Sequence, residues 1–113
     1  MSSEKIRVVT LYKSYFTDFY TKQRQKVKDK ILWTFIIIET ILQIPEDYFK
    51  HIEGTEGLFE IRIKQGSDIY RIFFFDQEKL VVLANGFQKK TQKTPKSEIE
   101  KALKVKKEYE TEK

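Results

Sequence analysis

Arg62 and Arg71 carry the first hint of chemistry in this sequence, because a turn signal lies between them. Gln65, Gly66, Ser67 and Asp68 form that turn, and the flanking runs Leu58–Lys64 and Ile69–Phe75 read as paired strands. With a four-residue loop, Lys64 sits opposite Ile69, Ile63 opposite Tyr70 and Arg62 opposite Arg71. Opposed residues of an antiparallel pair point to the same face, so two guanidiniums project side by side. Like charges placed that way cost roughly some tenths of a kcal/mol at an exposed pair. A bridging phosphate removes the penalty, since each guanidinium offers it a planar fork of donors. A slipped register, or arginines splayed towards Glu60 and Asp68, removes it without any ligand. The residues alone leave both readings open.

Further along, Phe87–Pro95 reads FQKKTQKTP. Lys89, Lys90 and Lys93 leave a strand there and enter a helix N-terminus, where lysine charge and unpaired backbone N–H groups can converge on an anion. Lysine-rich connections are also common as plain solvated loops. His51 is the one histidine, and it can serve as acid or base in principle, although a solitary loop histidine is more often merely exposed. Tyr109 can give a proton to a leaving group, or it can be the last apolar contact of a helix. With one histidine and no cysteine, neither a histidine cluster nor a thiolate site for a metal is available, and no cofactor is implied. No nucleophile elbow and no phosphate-binding glycine loop occurs.

The elements that must position these side chains follow from periodicity. Ile6–Leu11 is a short β-prone run and the first strand. Ser14 can cap a helix with Tyr15, Phe16, Phe19 and Tyr20 at helical spacing. A second helix is expected over about Thr21–Leu42, where Val27, Ile31, Phe35, Ile38 and Leu42 form one apolar stripe, with Pro45 ending it. The middle of the chain is a three-stranded antiparallel meander whose third strand is Leu80–Asn85. Ile61, Ile63, Tyr70, Ile72, Phe74, Val81 and Leu83 share its core face, opposite the face of Glu60, Arg62, Lys64, Arg71, Phe73, Phe75, Leu80 and Val82. Aromatic rings beside cations can stack on RNA bases, but Phe73 and Phe75 fit better beneath a C-terminal helix. That helix starts with Thr94 as N-cap and Pro95 in its first position, shows a narrow stripe of Ile99, Ala102 and Leu103, and frays towards Lys113. The whole is an α+β domain of one core, residues 1–113, with helices on an antiparallel sheet.

Composition sets the outer bounds. The net charge of +5 invites a polyanionic partner, and the excess sits in Lys22–Lys30 and Lys89–Lys107 rather than in the neutral centre. Ordinary solubilising charge on two helix faces fits the same distribution. The absence of cysteine suits a reducing cytoplasm. Ile31–Ile44, the most apolar stretch, is too short for a membrane span and carries Glu39 and Gln43.

From about Phe49 to Tyr109 the chain resembles the phage-derived HigB-like toxins of the RelE/ParE superfamily. The resemblance rests on HIEGTEGLFEIRIK at His51–Lys64, the pair Tyr70–Arg71, and FQKKTQKTP followed by Glu98, Ile99 and Ala102. It implies a RelE-like fold and a cytoplasmic toxin of a type II toxin–antitoxin pair. Such a toxin enters the ribosomal decoding site and cuts mRNA without metal, using the RNA's own 2′-hydroxyl. By the same resemblance Arg71 and Lys89 stabilise the phosphate, Arg62 contacts the hydroxyl or phosphate, Lys90 joins the catalytic group, and Lys64 and Lys93 bind RNA. The proton carrier is left open among His51, Lys90 and Tyr109, because some relatives place a histidine or tyrosine near the C-terminus and this chain has no histidine there. The partners implied are a HigA-like helix-turn-helix antitoxin, the ribosome and mRNA. A ParE-like inhibitor of DNA gyrase, which cuts no RNA, is the alternative on the same fold. A basic RNA-binding module without activity is the third reading.

Overall fold

In chain order the elements are β1 (Val8–Thr10), α1 (Tyr15–Tyr20), α2 (Gln25–Thr40), β2 (Phe49–His51), β3 (Leu58–Gln65), β4 (Asp68–Gln77), β5 (Leu80–Lys89) and α3 (Lys96–Glu112), an α+β arrangement. The computed structural model describes residues 5–46, 48–90 and 95–112. β3, β4 and β5 form the antiparallel meander, but the sheet around it is wider and mixed. Its order is β1-β5-β4-β3-β2, with β1 parallel to β5 at one edge and β2 antiparallel to β3 at the other. The expectation of a purely antiparallel meander is thereby corrected. β2 was illegible because three residues are too few to show alternation, and pairing with Phe59–Ile61 is what holds them extended. The β3–β4 turn is tighter than expected. Gln65 pairs with Asp68, leaving Gly66 and Ser67 at the tip, and Gly66 supplies the left-handed φ of 62° that the first turn position needs.

One face of the sheet carries the larger core. Ile61, Ile63, Tyr70, Ile72, Phe74, Val81 and Leu83 meet Phe16 of α1 and Val27, Ile31, Phe35 and Ile38 of α2, as the alternation predicts. Each fully buried aliphatic there contributes about 1.5–3 kcal/mol. Leu42 does not join the stripe and is exposed. α2 stops at Thr40 because Ile41 is already extended, well before Pro45. Arg7 reaches across to take the carbonyls left over at that end. Its Nη1 donates to Ile38 O at 3.0 Å and Ile41 O at 2.8 Å, and its Nη2 to Leu42 O at 2.7 Å.

The other face is covered by α3. Phe73, Phe75, Val82 and Ala84 lie beneath Ala102 and Val105, which settles the aromatic pair as core rather than as a stacking platform. The last turns of α3, expected to fray, are helical to Glu112, where Lys13 Nζ contacts Glu108 at 2.7 Å and Glu112 at 2.8 Å. The expected cap, Thr94, lies outside the described residues. Among the described residues no helix is long and apolar enough to cross a membrane.

Candidate functional site

Arg62 and Arg71 face each other across β3 and β4 in the register expected from the turn. Their face is the one that α3 covers at Phe73 and Phe75, and past Phe73 it turns polar. β2 adds Lys50, directly opposite Glu60. Lys50 and Glu60 therefore form one row on this face, and Arg62 and Arg71 form the next.

Lys89 reaches the same face through a β-bulge. Ile72 faces Gly86 and Phe74 faces Leu83, so β5 sets two residues, Ala84 and Asn85, against Phe73 alone. Unbroken alternation would put Lys89 on the core face with Val81 and Leu83. The extra residue inverts the parity, so that Phe87, opposite Arg71, and Lys89, opposite Ile69, join the arginine face. The bulge is tied down from α3: Asn85 is buried, and its Nδ2 donates to Glu98 Oε1 at 3.0 Å. On the other side of β5, Gly86 gives the room that the ring of Phe19 fills.

The charges are close and poorly solvated. Arg71 is only 7% exposed, and its Nε lies 2.7 Å from Glu60 Oε2. The contact is ionic rather than a well-aligned hydrogen bond: Arg71 Nε and Nη1 and Arg62 Nε are buried without a hydrogen-bond partner among the described residues. Burial depresses the pKa of Arg71, Arg62 depresses it further, and Glu60 works against both. Burial also lowers Lys89, with Arg71, Arg62 and Lys50 adding to the effect and Glu60 opposing it. A cluster that disfavours its own positive charge gains most from an incoming anion. Converging guanidiniums and an ammonium can hold a phosphate and stabilise the extra charge of a five-coordinate phosphorus.

The other sequence candidates separate from this group. Lys64 is exposed on the same face, two residues beyond Arg62. Lys90 is exposed one residue past β5, so the lysine with a depressed pKa is Lys89. Lys93 lies outside the described residues. His51, at the end of β2, pairs with Phe59 of β3, which turns it away from the arginine face. It is exposed, with Nε2 3.0 Å from Thr55 O. Tyr109 packs edge-on against Phe75 and Tyr12, with both ring centroids at 5.2 Å. Phe75 is four residues along β4 from Arg71, about 13 Å at the usual strand rise. Neither His51 nor Tyr109 is placed to move a proton at the cluster. Sequence reasoning missed Lys50, whose strand it did not see, and took Glu60 only as a counter-ion.

The family model for phage-derived protein Gp49-like (DUF891) matches residues 15–107, a span that holds every member of the cluster. No curated protein matches the chain.

Proposed function

We propose that this chain, which belongs to the Gp49-like family of phage-derived proteins, a family of toxin-like proteins, is a ribosome-dependent mRNA endonuclease that arrests translation. The observation that carries the reading is the convergence of Arg62, Arg71 and Lys89 on one face, with Arg71 buried and donors left over. On this reading the arrangement is a RelE-like fold, and the toxin works in the cytoplasm.

The 2′-oxygen of a ribose attacks the adjacent phosphorus, the bond from phosphorus to the 5′-oxygen breaks, and a 2′,3′-cyclic phosphate is left. Arg71 and Lys89 hold the non-bridging oxygens as charge builds on them, and Arg62 orients the hydroxyl or the phosphate. Glu60 is the carboxylate inside the cluster, and it accepts the 2′-hydroxyl proton. The leaving 5′-oxygen takes a proton from water or from Lys89, whose depressed pKa makes it a better acid than an ordinary lysine. The ribosome supplies the aligned mRNA.

A toxin of this kind is restrained by a partner, here a HigA-like helix-turn-helix antitoxin. Exposed apolar side chains support a protein partner: Leu32 and Ile36 stand one turn apart on α2, with Ile41 and Leu42 beyond its end. Purified protein added to translating ribosomes should cut mRNA in the decoding site and leave 2′,3′-cyclic phosphate or 3′-phosphate ends. Intact message together with cleaved DNA trapped on gyrase would overturn the reading.

A further inference from the structure

A second feature lies beside the cluster and shares Arg62 with it. A groove of about 470 Å³ runs between α2 and the turn end of β3, lined by Lys30, Tyr48, Arg62, Lys64 and Gly66. Among the described residues β2 pairs only with Phe59–Ile61, and no strand lies against the edge of β3 beyond Arg62. The lining comes from both sides of that open edge. Its volume is in the range of ligand sites.

We infer that this groove is a nucleotide subsite, which takes the base and phosphate of the RNA residue next to the one held at Arg62 and Arg71. Three cations line it and no carboxylate does. Lys30, Arg62 and Lys64 make no ion pair among the described residues, in contrast to Arg24, which is paired with Asp68 at 3.1 Å. Arg62 Nε is buried and without a hydrogen-bond partner, so the arginine shared by cluster and groove has donor capacity to spare.

The aromatic side of the groove separates a nucleotide from a bare anion. Tyr48 is fixed next to Arg62, since its carbonyl accepts the Arg62 N–H at 3.1 Å and its own N–H donates to Pro45 O at 2.9 Å. Its ring meets Trp33 edge-on at 6.2 Å, and Trp33 is 47% exposed. Lys30 Nζ rests 4.6 Å above the Trp33 ring, which orients the ammonium. Free phosphate has no use for an aromatic wall, whereas a nucleotide offers a base to stack and a charge to pair. Arg62 belongs to both places, so a strand leaving the cluster passes over the edge of β3 into the groove.

The identity of the ligand as RNA rests on the proposed nuclease function; the groove and its chemistry do not. Trp33 is the one tryptophan of the chain, so its emission reports on this groove. The full-length protein would be titrated with a 2′-O-methylated hexanucleotide, which cannot be cleaved, following Trp33 emission and the anisotropy of a label on the oligonucleotide. Tyr48→Ala should weaken binding about 5- to 100-fold, and Tyr48→Phe, which keeps the ring, should restore it. Lys30→Gln should lower the slope of log affinity against log salt by about 0.7, the value of one phosphate contact on a single strand. Lys30 is half-buried and lies outside both core clusters, so this variant does not depend on refolding of the core. Binding with unchanged Trp33 emission, and with Lys30→Gln and Tyr48→Ala equal to the parent, would overturn the inference. So would equal competition by polyglutamate, which would make the groove a site for an acidic protein segment. Oligonucleotide bound in the groove by a protein that cuts no message would leave this inference standing and remove the nuclease reading. Cleavage without a groove signature would do the reverse.

Discussion

Glu60 and Arg71 form a nearly enclosed ion pair, yet the two partners should respond oppositely to removal. At a charge separation of about 4 Å and an effective dielectric near 20, their attraction is worth about 4 kcal/mol. Arg62, directly across the strand pair, repels Arg71 by about 3 kcal/mol if the guanidiniums are some 6 Å apart. Arg71 also has buried N–H groups without hydrogen bonds, each a cost of about 1–3 kcal/mol. Arg71→Met therefore loses the attraction but sheds the repulsion and the unpaired donors, while Glu60 keeps Lys50 opposite it. Glu60→Gln loses the attraction and leaves the cations with nothing to offset them. The expected outcome is a Met variant within about 1 kcal/mol of the parent or more stable, and a Gln variant less stable by about 2–4 kcal/mol. Urea unfolding at pH 7 measures both, and thermal midpoints should differ in the same sense, by about 4 °C or more per kcal/mol. Inorganic phosphate supplies a second readout. At ten times its dissociation constant it should stabilise the parent by about 1.4 kcal/mol, and Arg71→Met should retain only the general salting effect. Equal destabilisation by the two substitutions would refute the reasoning, because Arg71 would then be an ordinary structural ion-pair partner.

Three other outcomes follow from the same structure. Gly86→Ala should cost about 1–3 kcal/mol in urea unfolding, because its Cβ would lie 2.5 Å from the Phe19 ring; an unchanged midpoint would mean that α1 yields freely. Arg7→Ala should cost about 1–2 kcal/mol and speed amide exchange at the end of α2, since three charge-assisted bonds to terminal carbonyls disappear. Lys13 holds Glu108 and Glu112 below their ordinary pKa of 4.5, so their contribution is complete above that value and is lost as pH falls through the depressed ones. Amide exchange over the last turns of α3, compared in acid and at neutral pH, should show this loosening in the parent and lose it in Lys13→Gln.

The legible part of the fold was the part governed by local rules. Alternation assigned all seven core-face residues of the meander, because a sheet covered by helices on both sides leaves little freedom in which side chains turn inward. The Gly66 turn fixed the register that opposes Arg62 and Arg71, and a change of loop length from four residues to two left that register intact. What escaped was set by contacts distant in sequence. β2 exists because β3 offers it an edge, and α2 ends at Thr40, where Arg7, over thirty residues earlier, takes its last carbonyls. His51 and Tyr109 were open candidates for the proton carrier, each beside a plain structural reading, and the sheet turns one away while the aromatic layer under α3 absorbs the other.

The bulge in β5 shows why the candidate site in particular resisted sequence reading. Strict alternation from Val81 assigns Lys89 to the core face, opposite Asp68 at the turn end of β4. Inserting one residue opposite Phe73 moves it to the face where Arg62 and Arg71 already repel each other. That placement is unfavourable for Lys89, whose pKa burial lowers and Arg71 and Arg62 lower further. Yet the fold secures it with a buried Asn85 bonded to Glu98 and with a glycine at 86 that lets Phe19 close behind the strand. Structure that holds like charges together from behind makes sense when the missing counter-charge arrives with a ligand. A phosphate placed among Arg62, Arg71 and Lys89 would relieve all three at once, and on the proposed nuclease reading their mutual repulsion before it arrives would raise the gain from binding the more highly charged transition state.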